Sequence, residues 1–192
     1  MSNLNEVPRP KGRRGHGNNK IPQQKSVASV IEEWHHSRPG LDLGPLGLFA
    51  ALAHVYWLTT PEIERLMAEH SLNRGMFDVL TTLRRAGPPC TLAPKQLSQS
   101  LLLSGAGITN RLDRLEALKL IRRLPDPQDR RGLKIELTNS GLRLVDRILP
   151  RLIDLERRMV AGLATKDATK LLHLLDEFAQ SLRTNLSRDR EK

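Results

Sequence analysis

The stretch Leu120-Ile-Arg-Arg-Leu-Pro-Asp-Pro-Gln-Asp-Arg-Arg-Gly-Leu-Lys-Ile-Glu-Leu137 decides the fold. Its apolar ends, Leu120–Leu124 and Leu133–Leu137, flank the polar run Pro125–Gly132 and read as two short strands joined by a loop. In the second strand Leu133, Ile135 and Leu137 alternate with Lys134 and Glu136, the period of two expected of a half-buried strand. Arg130 and Arg131 make the loop between the strands basic.

Working outward towards the N-terminus, Gly75–Ala86 has a helical pattern broken by Gly87, Pro88 and Pro89. Pro94 suits the first turn of a second helix, with Leu97 and Leu101 facing inward. Ser104 is an N-cap for a third helix running to about Leu118. Further upstream, Leu43 to Glu69 is apolar at helical spacing on more than one side, so it must be covered on more than one side. Pro61 after Thr59 and Thr60 predicts a kink or break within it. Residues 26–37 form a short helix ending before Pro39.

Towards the C-terminus, Thr138 caps a long helix in which Val145, Ile148, Leu152, Leu155 and Met159 recur at spacings of three and four. Pro150 should bend it, and Thr165 caps a last helix carrying Leu171, Leu175, Phe178 and Leu182. These helices have more apolar surface than one small domain needs, which predicts dimerisation.

The elements therefore spell a mainly α fold with a small β-wing: a winged helix-turn-helix domain flanked by N- and C-terminal dimerisation helices. The expected divisions are a disordered basic tail at 1–25, N-terminal helices for dimerisation and a ligand pocket at 26–73, the DNA-binding domain at 74–138, and C-terminal dimerisation helices at 139–192. The tail holds Pro8, Pro10, Gly12, Gly15, Gly17 and Pro22 and almost nothing apolar to bury.

Charge follows these divisions. The four segments carry net charges of +5, −4, +6 and +3, so the overall +10 is concentrated on the tail and the central block. A basic block within a folded region suits a polyanion. The lone Cys90 excludes an internal disulfide framework and reads as inert. No apolar run approaches the ~20 residues of a membrane helix, and the basic N-terminus is not followed by the apolar core of a signal peptide. A cytoplasmic protein is expected. The six His show no zinc spacing. No phosphate loop, dinucleotide fingerprint, G-x-S-x-G or H-E-x-x-H occurs, so neither an enzyme nor a cofactor is expected.

The run Asp126-Pro-Gln-Asp-Arg-Arg-Gly-Leu-Lys-Ile-Glu-Leu-Thr-Asn-Ser-Gly141 resembles the wing and D-x-R…L-T…G signature of the MarR family of bacterial regulators, with Asp129, Arg131, Leu137 and Thr138 at the signature positions. Arg111-Leu-Asp-Arg-Leu-Glu-Ala-Leu-Lys-Leu-Ile-Arg-Arg123 resembles that family's recognition helix and its exit. One departure is Lys119, where the family has a left-handed Gly. Lys there costs about 1–2 kcal/mol if the conformation is kept. The resemblance implies a homodimer that binds palindromic operator DNA as a transcriptional regulator, most simply a repressor.

On a helical wheel, Ile108, Leu112 and Leu115 face the core, while Ala106, Asn110, Asp113, Arg114 and Ala117 lie roughly opposite, where a major groove would be. Thr109 and Arg111 fall on opposite flanks. The small Gly105, Ala106 and Gly107 let the start of the helix come close to the phosphate backbone, with Ser104, Ala106 and Gly107 expected among the DNA contacts. Asn110 suits adenine and Arg114 suits guanine or a phosphate. Asp113 would repel phosphates unless it pairs with Arg114 or a base amine. Arg130 and Arg131 reach the minor groove or phosphates; alternatively, one of them pins the hairpin by pairing with Asp126 or Asp129.

A finer resemblance is to the urate-responsive, PecS- and HucR-like branch of the family, which has an extra N-terminal helix carrying a Trp. Trp34 fills that place, and the branch's other ligand-linked positions fall on Asp78, Arg85 and Arg111. The chemistry is consistent: urate is a flat anion that suits an aromatic face and guanidinium donors. The same groups would accept a phenol or an aromatic carboxylate. The bland readings are that Trp34 is a core anchor, that Asp78 and Arg85 answer the helix dipole, and that Arg111 binds a phosphate. Outside this class, the alternative is an RNA- or membrane-surface-binding protein that uses the basic tail.

Overall fold

The structure, a computed structural model, describes residues 25–101, 107–127 and 129–190. The expected tail at 1–25 thus lies outside the described residues, apart from Lys25. The chain divides into two compact units, Met1–His54 and Val55–Lys192.

In the first unit, helix α1 spans Val27–Ser37. Ser26 caps it by accepting from the Ser29 N–H at 3.1 Å, and Lys25 pairs with Glu33 at 2.6 Å. Trp34 is 45% exposed on this helix. The Asp42 carboxylate accepts from the Gly44 N–H at 3.0 Å, where helix α2, Gly44–Ala68, begins.

α2 runs unbroken through Pro61, so the expected break does not occur. The Thr59 hydroxyl, one turn past Val55, donates to the Val55 carbonyl at 2.9 Å, the i−4 bond that threonine makes within helices. Ile63, Leu66 and Met67 are buried, whereas Val55, Tyr56, Trp57 and Leu58 are exposed. The expectation that this helix is covered on several sides is not met within one chain.

The second unit continues with α3 (Arg74–Arg85), β1 (Thr91–Leu92), α4 (Pro94–Ser100), α5 (Ile108–Ala117), β2 (Ile121–Asp126), β3 (Asp129–Leu137), α6 (Asn139–Val160) and α7 (Thr165–Arg190). Asn73 caps α3 by accepting from the Met76 N–H at 2.8 Å, and Pro94 occupies the first turn of α4. The strands form an antiparallel sheet in the order β1-β3-β2, with Leu92 opposite Ile135 and Ile121 opposite Leu137. Ile135 and Leu137 are buried, but Leu133 is exposed, because the hairpin has run past the core by that point.

The core joins Met67, Leu80, Leu83, Leu97, Leu115, Ile135, Val145 and Ile148 across α2, α3, α4, α5, β3 and α6. At its edge the Thr138 hydroxyl accepts from the Gly141 N–H at 3.1 Å and caps α6. Pro150 lies inside α6 without interrupting it. Thr165 is the first helical residue of α7 rather than its cap, a shift of one position. No described residue of α7 is buried.

Candidate nucleic-acid interface and ligand cavity

α5 is set on the core by buried Leu112 and Leu115 and half-buried Ile108, leaving Thr109, Asn110, Asp113 and Arg114 exposed on the other side. Gly107 precedes it with φ 70°, a left-handed conformation that glycine adopts without strain. Ser104 and Ala106 lie outside the described residues. So do the side chains of Arg130 and Arg131, whose backbone belongs to β3.

α5 ends in a Schellman motif. The Leu120 N–H donates to the Leu115 carbonyl at 3.0 Å and the Lys119 N–H to the Glu116 carbonyl at 2.8 Å. Lys119 holds φ 58°, so the left-handed conformation is kept with a side chain present. Asp113 has a partner that the sequence reading did not name. Arg123 on β2 donates to it at 2.6 Å and also pairs with Glu116. The Asp113 bond, followed by the Glu116 carboxylate, pushes the Arg123 pKa further up. One cation from the wing strand thus offsets two carboxylates on α5. Arg122 likewise pairs with Glu136 across the hairpin.

A cavity of about 330 Å³ lies on the other side of α3, between it, α2 and α6. Ile63, Met67, Phe77, Val145, Leu149 and Leu152 supply apolar walls, and Arg74, Asp78, Thr81, Arg84, Arg85 and Glu156 the polar ones. This is within the size range and chemistry of small-molecule sites. Asp78 and Arg85, seven residues apart on α3, both line it. Asp78 is buried. Arg85 donates to the Thr82 hydroxyl at 3.0 Å and to the Ser100 carbonyl at 3.3 Å, so the cavity wall is tied to the last residue of α4. Arg84 is held by Asp146 at 3.1 Å.

Arg111 does not line the cavity. Its guanidinium lies against Gly75 in the first turn of α3. Trp34 belongs to the other compact unit. The sequence reading missed Arg74, Thr81 and Arg84. The first two were accessible to it, because Arg74, Asp78, Thr81 and Arg85 recur at spacings of four, three and four on one helical face.

Among the described residues, no cluster of His, Cys, Asp and Glu could hold a metal, and no helix is long and apolar enough to cross a membrane. Cys90 is buried.

Residues 70–132 match the MarR family. The chain is 31% identical over 159 residues to the HTH-type transcriptional regulator PecS of Dickeya dadantii (strain 3937), a match covering 83% of this chain and 96% of PecS. It is similar to the crystal structure of AbsC, a MarR family transcriptional regulator from Streptomyces coelicolor, with a TM-score of 0.67 and 25% identity, covering 75% of this chain and 97% of AbsC. It shares its fold with a MarR mutant from E.coli complexed with operator DNA, at a TM-score of 0.60 and 23% identity over 76% of this chain and 96% of that one. The chain therefore belongs to the MarR family of winged-helix, DNA-binding transcriptional regulators.

Proposed function

We propose that the protein is a cytoplasmic, non-enzymatic repressor that binds a palindromic operator as a homodimer and is released by a small aromatic anion such as urate. The observation that carries this reading is the Arg85 bridge. Arg85 lines an apolar-walled cavity and bonds the end of α4. An anion that recruits its guanidinium would therefore disturb the helix preceding α5.

Such a ligand shifts DNA affinity only by its different affinity for the two states. The apolar walls suit a flat ring, and Arg85 with Arg74 suits its negative charge. Asp78 and Arg85 are the proposed ligand residues lining the cavity; Trp34 and Arg111 are proposed as ligand-linked residues on the family resemblance. Ser104, Ala106, Gly107, Thr109, Asn110, Arg114, Arg130 and Arg131 are the proposed DNA contacts.

The apolar surface that one chain leaves uncovered supports dimerisation. α7 exposes Leu171, Leu172, Leu174 and Leu175, and α6 exposes Ile153 and Val160. Surfaces of this kind are normally covered by a partner, and a second copy gives the two-fold symmetry a palindrome requires.

The test begins with operator selection from random DNA by the purified protein. DNA release and calorimetric binding are then measured with urate and with salicylate. Urate should release wild-type protein, Trp34→Phe should respond less, and Arg85→Ala should lose about ten- to hundredfold in urate affinity. Release by salicylate alone would move the ligand to the aromatic carboxylates. Unchanged affinity in both variants would remove the site, and a stable monomer in sedimentation would remove the dimer.

A further inference from the structure

A Cβ placed on Gly75 would lie 2.7 Å from Nε, 2.9 Å from Cζ and 3.1 Å from Nη2 of Arg111. Any side chain at position 75 must therefore push the guanidinium away. Gly75 is otherwise an odd choice, since it is the second residue of α3 and glycine is a poor helix former. Close approach of another group to bare backbone is a recognised use of the residue.

The group that approaches comes from α5. Arg111 is half-buried in its first turn, between exposed Asn110 and exposed Asp113 and Arg114. The seat thus joins the exposed helix to the helix that lines the cavity, at its first turn beside Arg74.

We propose that Gly75 is a positioning residue, the bare-backbone seat on which Arg111 sets the recognition helix against α3.

A double-mutant cycle on the full chain tests the seat. Gly75→Ala suits α3 as a helix and displaces only the end of a flexible side chain, so it should fold. It should change hydrogen exchange of the α5 amides and operator affinity by about fivefold or more in the native background, and by less than about twofold in an Arg111→Ala background. Equal effects in both backgrounds, or none in either, would overturn the seat. So would altered exchange with unaltered operator affinity, since the recognition helix would not then be positioned for DNA. If Gly75→Ala unfolds the protein only while Arg111 is present, the seat is supported; if it unfolds in both backgrounds, Gly75 serves the backbone and the proposal falls. Wild-type protein that binds no operator would remove the DNA reading, and the exchange cycle would still decide the seat.

Discussion

The Thr138 hydroxyl donates to the Lys119 carbonyl at 2.8 Å, fixing a residue that holds φ 58°. The same hydroxyl lies 3.0 Å from the Leu120 carbonyl and receives the Gly141 N–H. The end of the recognition helix, the start of the wing and the start of α6 thus meet on one threonine.

Left-handed backbone costs a residue with a Cβ about 1–2 kcal/mol. Lys119→Gly should therefore stabilise the protein by about 1 kcal/mol after the greater freedom of glycine in the unfolded chain is deducted. Differential scanning calorimetry should show a rise of about 2–4 °C in Tm. A fall would mean that the Lys119 side chain contributes more than its strain.

Gly141 is required for the opposite reason. A Cβ there would stand 2.2 Å from the Leu120 carbonyl oxygen and 2.7 Å from Leu137 Cδ1, and the backbone oxygen cannot move without opening the wing. Gly141→Ala should destabilise by roughly 3 kcal/mol, visible as a lower urea midpoint.

Arg123 partly offsets the charge of Asp113 and Glu116 beside the exposed face of α5. Arg123→Ala leaves those carboxylates uncompensated, so operator affinity should fall about three- to tenfold at low salt and less at high salt. Adding Asp113→Asn should recover part of the loss in an anisotropy titration.

Arg114→Ala should relax discrimination at one base pair of each half-site by about 1–3 kcal/mol. Arg130→Ala should instead weaken all DNA similarly and lower the salt slope by about one. Competition titrations at several salt concentrations distinguish the two. An unchanged operator preference in Arg114→Ala would displace Arg114 from base contact.

Helix periodicity carried much of this structure. The buried and exposed sides of α5 follow from the spacing of Ile108, Leu112 and Leu115, and the α6 cap from Thr138 before an apolar repeat. β1 was not legible, because two residues, Thr91 and Leu92, are too short to show a period. α2 passes through Pro61, and spacing alone does not distinguish a proline inside a helix from one that opens it. The pairing of Asp113 with Arg123 and the seat of Arg111 on Gly75 join residues from different elements, and only tertiary packing brings them together. On α3, Asp78 and Arg85 could be placed on one face by spacing, but the opposing apolar wall from α6 could not.

Because the cavity walls come from α2, α3 and α6, an unfolded chain has no cavity, and a molecule that fits it can bind only the native state. Such a molecule at a hundred times its Kd would add about 2.7 kcal/mol to the unfolding free energy by mass action. Melting curves of the isolated protein would therefore sort candidate effectors by chemistry before any operator is known, with Arg85→Ala muting the upward shift for ligands that use its guanidinium.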